Sequence, residues 1–260
     1  MIDVLAASVD EVHALADRVA HAMPGSGQGA QRLVSDRDRV AASARLRSED
    51  SRRTLAGRAA LRMLAAARAS RPLVDASALA IDRACSQCGE QHGQPRLDGR
   101  SISSSTSGPH VLVAVGDADA SVGVDVEVVP DELWTGFDAY ALHPDERGSM
   151  PEGAEGVSER IRVWCEKEAV LKAAGLGLRA APARLRVSSV EQPGAWPSGA
   201  GLLDPGAWRP VASTEVQAAA GMWVTSLAVG DDAWAMLAAA TPQPIRRWTV
   251  TDLLDCRPRA

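Results

Sequence analysis

Phenylalanine and tyrosine are all but missing: Phe137 and Tyr140 are the only ones in 260 residues. A core must therefore be filled by Leu, Val, Ala and the seven tryptophans. Cysteine is scarce as well. Cys85, Cys88, Cys165 and Cys256 are too few and too scattered for a disulfide scaffold. No apolar run approaches the roughly 20 residues a membrane span needs. Met1-Ile2-Asp3-Val4 has no positive stretch leading into an apolar one, so no secretory leader is expected. Positive charge is not in excess: a net charge of -5 argues against a general nucleic-acid binder, while leaving room for a local basic pocket. What remains is a soluble, cytoplasmic protein of one domain or two modest ones.

Two stretches carry chemistry. In Gly123-Val124-Asp125-Val126-Glu127-Val128-Val129 the valines alternate with the acids, which is the period of a strand. Asp125 and Glu127 then share a face at roughly 7 Å. Paired carboxylates repel, and are best tolerated in water, as on a solvated outer face, or around a cation. Downstream, Trp164-Cys165-Glu166-Lys167-Glu168-Ala169-Val170-Leu171-Lys172-Ala173-Ala174-Gly175 reads as the second half of a helix over 159–174. Ser158 is the expected N-cap and Gly175 the stop. Glu168 and Lys172 lie one turn apart, which by itself is also what an ordinary amphipathic helix shows.

The rest of the chain frames these two. A strand-like start leads into a helical pattern through Val12, Leu15, Ala16 and Val19, and residues 24–29 form a break. From 33 to 71 the spacing is helical with an interruption near 48–50, placing Leu55, Leu61, Met63 and Leu64 inward and Arg52, Arg53, Arg58 and Arg62 outward. Such arginines form either a solvated face or an anion pocket, since guanidinium forks suit phosphate. Residues 72–98 read as loop and strand. There Cys85-x-x-Cys88 with His92 offers three zinc ligands but no fourth, so reduced thiols in a turn are the expectation. The serine-rich 101–108 could pass for a linker, while Val111–Val115 has a buried-strand pattern. Ala114-Val115-Gly116-Asp117 recurs as Ala228-Val229-Gly230-Asp231, a faint internal echo. A helix start is expected at 142–147, a mobile loop at 150–156, and an irregular Pro/Gly/Trp-rich stretch at 192–210.

Taken in order, G-V-D-V-E and W-C-E-K-E-A-V-L-K-A-A-G resemble the 4′-phosphopantetheinyl transferases, in particular their single-chain surfactin-synthetase type. The resemblance extends to Asp50–Arg58, to Ser103–Gly108 and to Trp248–Leu254. It implies a duplicated α+β fold: two similar halves, 1–119 and 120–260, related by a pseudo-two-fold with the active site in the cleft between them. It implies transfer of the phosphopantetheine arm of coenzyme A to a serine of an apo acyl or peptidyl carrier protein, with Mg²⁺ as cofactor and 3′,5′-ADP released. The carrier would serve fatty-acid, polyketide or non-ribosomal-peptide synthesis, and the enzyme would be monomeric. By the same resemblance Asp125, Glu127 and Glu168 hold the metal, Glu168 is also the base, and Lys172 meets the phosphates. Arg53 holds the coenzyme's 3′-phosphate, with Arg37 a second contact, and Ser105 and Thr106 stand in the coenzyme-binding turn. Two positions depart from the family: Thr106 replaces a histidine and Gln94 a lysine, each removing a charge near phosphate. Those departures also fit a relative that only binds coenzyme or carrier. A metal-dependent phosphoesterase using the same acids is a third possibility.

Overall fold

The computed structural model describes residues 1–23, 29–85, 87–187, 201–203 (backbone), 208–211 and 215–255. The break at 24–28, most of the stretch 192–210 and Cys256 lie outside the described residues.

The first half opens on strand β1 (Ile2–Ser8) and helix α1 (Val9–His21), with Ser8 and Glu11 closing a capping box between them. Short helices α2 (Gly29–Arg32) and α3 (Asp36–Ser43) precede the long α4 (Ser48–Arg68), and strands β2 (Arg100–Ser107) and β3 (His110–Asp117) follow as a hairpin. The second half repeats this order. Strand β4 (Gly123–Val128) leads through α5 (Phe137–Ala141) and α6 (Pro144–Arg147) to the long α7 (Gly153–Ala173). Then come β5 (Gly201–Leu203), β6 (Arg209–Pro210) and the hairpin β7 (Trp223–Leu227) and β8 (Ala233–Ala239). The chain closes with β9 (Ile245–Trp248) and α8 (Val250–Asp255).

The sheets run β2-β3-β1-β9-β5 and β4-β8-β7-β6. The fold is α+β, and each half shows strand, long helix, hairpin, with the hairpin's second strand beside the first strand. The duplication is thus visible in topology and not in the echo seen in sequence. Residues 114–117 end β3, whereas 228–231 form the turn between β7 and β8, so the two copies are not equivalent positions. Residue 119 lies between the end of β3 and the start of β4, yet β5 and β9 from beyond it belong to the first sheet. Strand β9, far beyond it in sequence, nevertheless pairs in parallel with β1. Trp248 Nε1 donates to the buried Asp3 at 2.9 Å, and Arg68 and Arg246 also pair with that carboxylate.

Strand alternation sorts the side chains into layers. Leu5, Val111, Val113 and Val115 face α1 and α4, while Ile2, Val4, Leu112 and Ala114 face Val124, Val126, Ala235 and Leu237 of the other sheet. Val163, Val170, Met236 and Ala238 fill the space between α7 and the second sheet. With so few large rings, the sheets and helices meet through small and branched side chains. Gly123 shows how close they come: a Cβ there would overlap Ala169 O and Ala173 N of α7.

Several expectations change. Helix α7 starts at Gly153, not 159, because Arg160 Nη1 ties the carbonyls of Pro151 (2.9 Å) and Gly156 (3.1 Å) into a first turn. The loop expected at 150–156 is therefore partly helical, and Ser158, inside the helix, accepts from Trp234 Nε1 at 2.9 Å. Gly175, with φ +71°, follows the helix end as expected. Nor is α7 an ordinary amphipathic helix, since its charges are buried and paired. Lys167 Nζ meets Glu146 Oε2 at 2.6 Å, and Glu166 meets Arg162 at 2.8 Å and Arg209 at 2.5 Å. Arg58 and Arg62 do not reach outward: both are buried on Asp38, at 2.5 and 2.8 Å. Residues 100–107 are a strand and not a linker: they pair with β3, and the hydroxyls of Ser101, Ser103, Ser105 and Ser107 find partners across the sheet junction. No helix among the described residues is long and apolar enough to cross a membrane.

Candidate functional site

The site lies where the first strand of the second sheet meets the serine strand of the first. The amides of Val122, Val124 and Val128 donate to the hydroxyls of Ser101 (2.7 Å), Ser103 (3.0 Å) and Ser107 (3.1 Å). These side chains satisfy the edge of β4, an edge that otherwise needs covering. The hydroxyls of Ser105 and Ser107 then donate to the carboxylates of Asp125 (2.7 Å) and Glu127 (2.9 Å). One alternating run of serines thus both joins the halves and orients the two acids. In the sequence this run passed for a linker; its alternation and its partners appear only in the fold.

Because Val124 and Val126 turn into the core between the sheets, Asp125 and Glu127 turn toward α7. Asp125 is only 2 % exposed, so its face is not a solvated one. On α7, Glu168 and Lys172 come from successive turns of the same side. Lys172 Nζ lies 2.6 Å from Asp125 Oδ1 and 3.2 Å from Ser105 Oγ. Two buried oxygens, Asp125 Oδ2 and Glu168 Oε1, make no hydrogen bond. Buried polar atoms are normally satisfied, so each of these two carboxylate oxygens is a candidate to receive a ligand.

The electrostatics agree. Burial raises the Glu168 carboxyl to about 7; Lys172 opposes this, and Asp125 and Glu127 push it further up. Glu127 is also raised, by burial and by Asp125, against its bonds to Ser107 and to the Trp164 indole. Burial works against the Lys172 ammonium, but Asp125 and Glu168 outweigh it and hold its pKa above the ordinary value. Cys165 is driven well above the usual thiol range, by burial first and then by the two acids, and so is an inert core thiol.

Glu168 and Lys172 line a cavity of about 580 Å³ with Ser103, Ser104, Arg83, Arg179 and the loop at 92–96. Arg83 and Arg179 carried no signal in the sequence. Arg83 Nη2 donates to Ser104 Oγ at 3.1 Å, and burial, with Arg58 nearby, lowers its guanidinium to about 10. An anion in the cavity would relieve that penalty.

The structure brings Ser105, Asp125, Glu127, Glu168 and Lys172 together. It does not bring the three acids into the tightest kind of cluster. Among the described residues, the group whose three ligand atoms all lie within 4.8 Å of one another is Cys85, Cys88 and His92. Ser105, Asp125 and Glu127 are not part of the cavity lining, and neither are Arg37, Arg53 and Thr106. Arg37 is exposed and 3.7 Å from Asp82, and Arg53 pairs with Asp50 one turn earlier on α4. Thr106 faces α4, its methyl 2.8 Å from where a Gly57 Cβ would sit. Gln94 Nε2, on the cavity wall, donates to the Lys172 carbonyl at 2.9 Å and braces the end of α7.

Residues 121–219 match the family model of the 4′-phosphopantetheinyl transferase superfamily. The match covers less than half of the chain, but it contains β4, α7 and all four charged residues of the cluster. No curated protein matches the chain. The transferase-like segment thus supplies the acids and the lysine, while Ser105, Ser107 and Arg83 come from outside it.

Proposed function

We propose that the protein transfers the 4′-phosphopantetheine arm of coenzyme A to a serine of an apo acyl or peptidyl carrier protein. The observation that carries this reading is the pair of orphaned buried oxygens, Asp125 Oδ2 and Glu168 Oε1, beside Lys172 and a basic cavity. Hard oxygen donors of that kind fit Mg²⁺, and Asp125, Glu127 and Glu168 would hold it. Bound there, Mg²⁺ supplies positive charge to the pyrophosphate.

The residues of the chain divide the remaining work. Arg83 and Arg179 receive the coenzyme's phosphates in the cavity, with Arg53 and Arg37 as outlying candidates for the 3′-phosphate. Lys172 Nζ approaches the reacting phosphate and offsets charge that grows on it. The carrier serine's oxygen forms the new bond to the β-phosphorus as the bond to the 3′,5′-ADP oxygen breaks. The serine proton passes to Glu168, which stands one turn from Lys172 on the same side of α7 and lines the cavity. Ser105 and Ser107 hold Asp125 and Glu127 in place throughout.

Incubating the full chain with coenzyme A, Mg²⁺ and a panel of apo carriers, with intact-mass detection, tests the proposal. A carrier heavier by one phosphopantetheine arm supports it and identifies the pathway. Coenzyme binding with no modified carrier across the panel would leave a binding protein in its place.

A further inference from the structure

The loop at 82–96 carries a second cluster that the acids do not need. Cys85, Cys88 and His92 place their ligand atoms within 4.8 Å of one another, and Cys88 Sγ is 3.0 Å from His92 Nε2. Both cysteines are free thiols. In the sequence the trio lacked a fourth partner; folded, it has the backbone of a metal knuckle. Gly89 N donates to Cys85 O at 2.9 Å, and Gly89 takes φ +76°, which turns the chain after Cys88 back so that His92 reaches Cys88. The amide of Gln87 lies 3.5 Å from Cys85 Sγ. Amides aimed at sulfur favour a thiolate, the form that binds metal. Cys85 N to Glu90 O, 2.8 Å, and Gly93 N to Arg83 O, 2.8 Å, close the loop's base.

We propose that Cys85, Cys88 and His92 bind one zinc ion, with the fourth position taken by solvent. Two thiolates and an imidazole are the donor set zinc selects over hard cations. At bond lengths of about 2.3 Å to sulfur and 2.0 Å to nitrogen, a tetrahedron has edges of roughly 3.5–3.8 Å, within reach of the observed spacing. Two thiol protons leave to solvent as two Zn–S bonds form, so the site gains no net charge. Cys85 and His92 line the same cavity as Glu168 and Lys172, and Gln94 on this loop touches the end of α7. The ion would therefore pin one wall of that cavity. Its donors are distinct from the carboxylates, and the inference does not depend on the transferase reading.

The test is metal content of the full chain, purified with reductant and dialysed against metal-free buffer. About one zinc per chain is expected, with a loss of about tenfold or more in Cys85→Ser, Cys88→Ser and His92→Ala. Glu168→Gln should keep its zinc. Cobalt substitution of the wild-type chain should give thiolate-to-metal charge-transfer bands and tetrahedral d–d bands, and decides the matter even where a variant fails to fold. A wild-type chain without zinc, a Cys85–Cys88 disulfide under reductant, zinc unchanged in all three variants, or cobalt spectra lacking the thiolate bands would each overturn the proposal.

Discussion

Lys172 Nζ sits 2.6 Å from Asp125 Oδ1, and this one contact joins the catalytic-looking helix to the acidic strand. It is possible only because Gly123, two residues earlier, lets β4 lie against the backbone of α7. The ammonium offsets the charge of Asp125 through one oxygen and leaves the second oxygen without a hydrogen bond.

Gly123→Ala should cost about 3 kcal/mol, the overpacking range, because neither Ala169 O nor Ala173 N can move without shifting α7. Urea denaturation followed by tryptophan fluorescence gives the number. A loss under about 0.5 kcal/mol would mean the helix and strand are not in rigid contact.

Glu168→Gln should reduce carrier modification by about 10²-fold or more while leaving the fold intact by circular dichroism. Near-normal turnover would remove Glu168 from the chemistry.

Stability should depend on pH through the same residue. Its folded pKa of about 7 lies above the ordinary value of 4.5, so the folded state holds the proton that the unfolded state has released. The resulting stabilisation is complete below pH 4.5 and lost as pH rises through 7, a fall of about 3 kcal/mol from this group. Glu127, also raised, adds in the same direction. Denaturation in metal-free buffer between pH 5 and 8 should show the decline, and Glu168→Gln should flatten it. A wild-type curve that stays level over that range contradicts the raised carboxyl.

Arg83→Ala should raise the apparent KM for coenzyme A about tenfold with kcat little changed, since it removes a cavity cation and not a reacting group. Arg53→Ala, whose guanidinium already pairs with Asp50, should change KM less than about twofold. Equal rises in the two variants would put the 3′-phosphate on α4 instead.

Local pattern put the two acids on one face of a strand and a glutamate and a lysine on one side of a helix, while the chemistry expected of them came from the resemblance to the transferases. The period of two around Asp125 and Glu127 and the one-turn step from Glu168 to Lys172 are covalent consequences of strand and helix geometry, readable without a fold. The α+β class was what the resemblance to the transferases implied, and the two sheets with their long helices bear it out. What no local pattern carries is the partner of each charge. That Arg58 and Arg62 are buried on Asp38, that Ser105 and Ser107 orient the acids, that Arg83 stands in the cavity, and that Cys85 and Cys88 close on His92 depend on contacts between segments or on a turn's exact path. Desolvation decides whether a glutamate titrates near 4.5 or near 7, and only packing of β4 against α7 removes the water from Glu168.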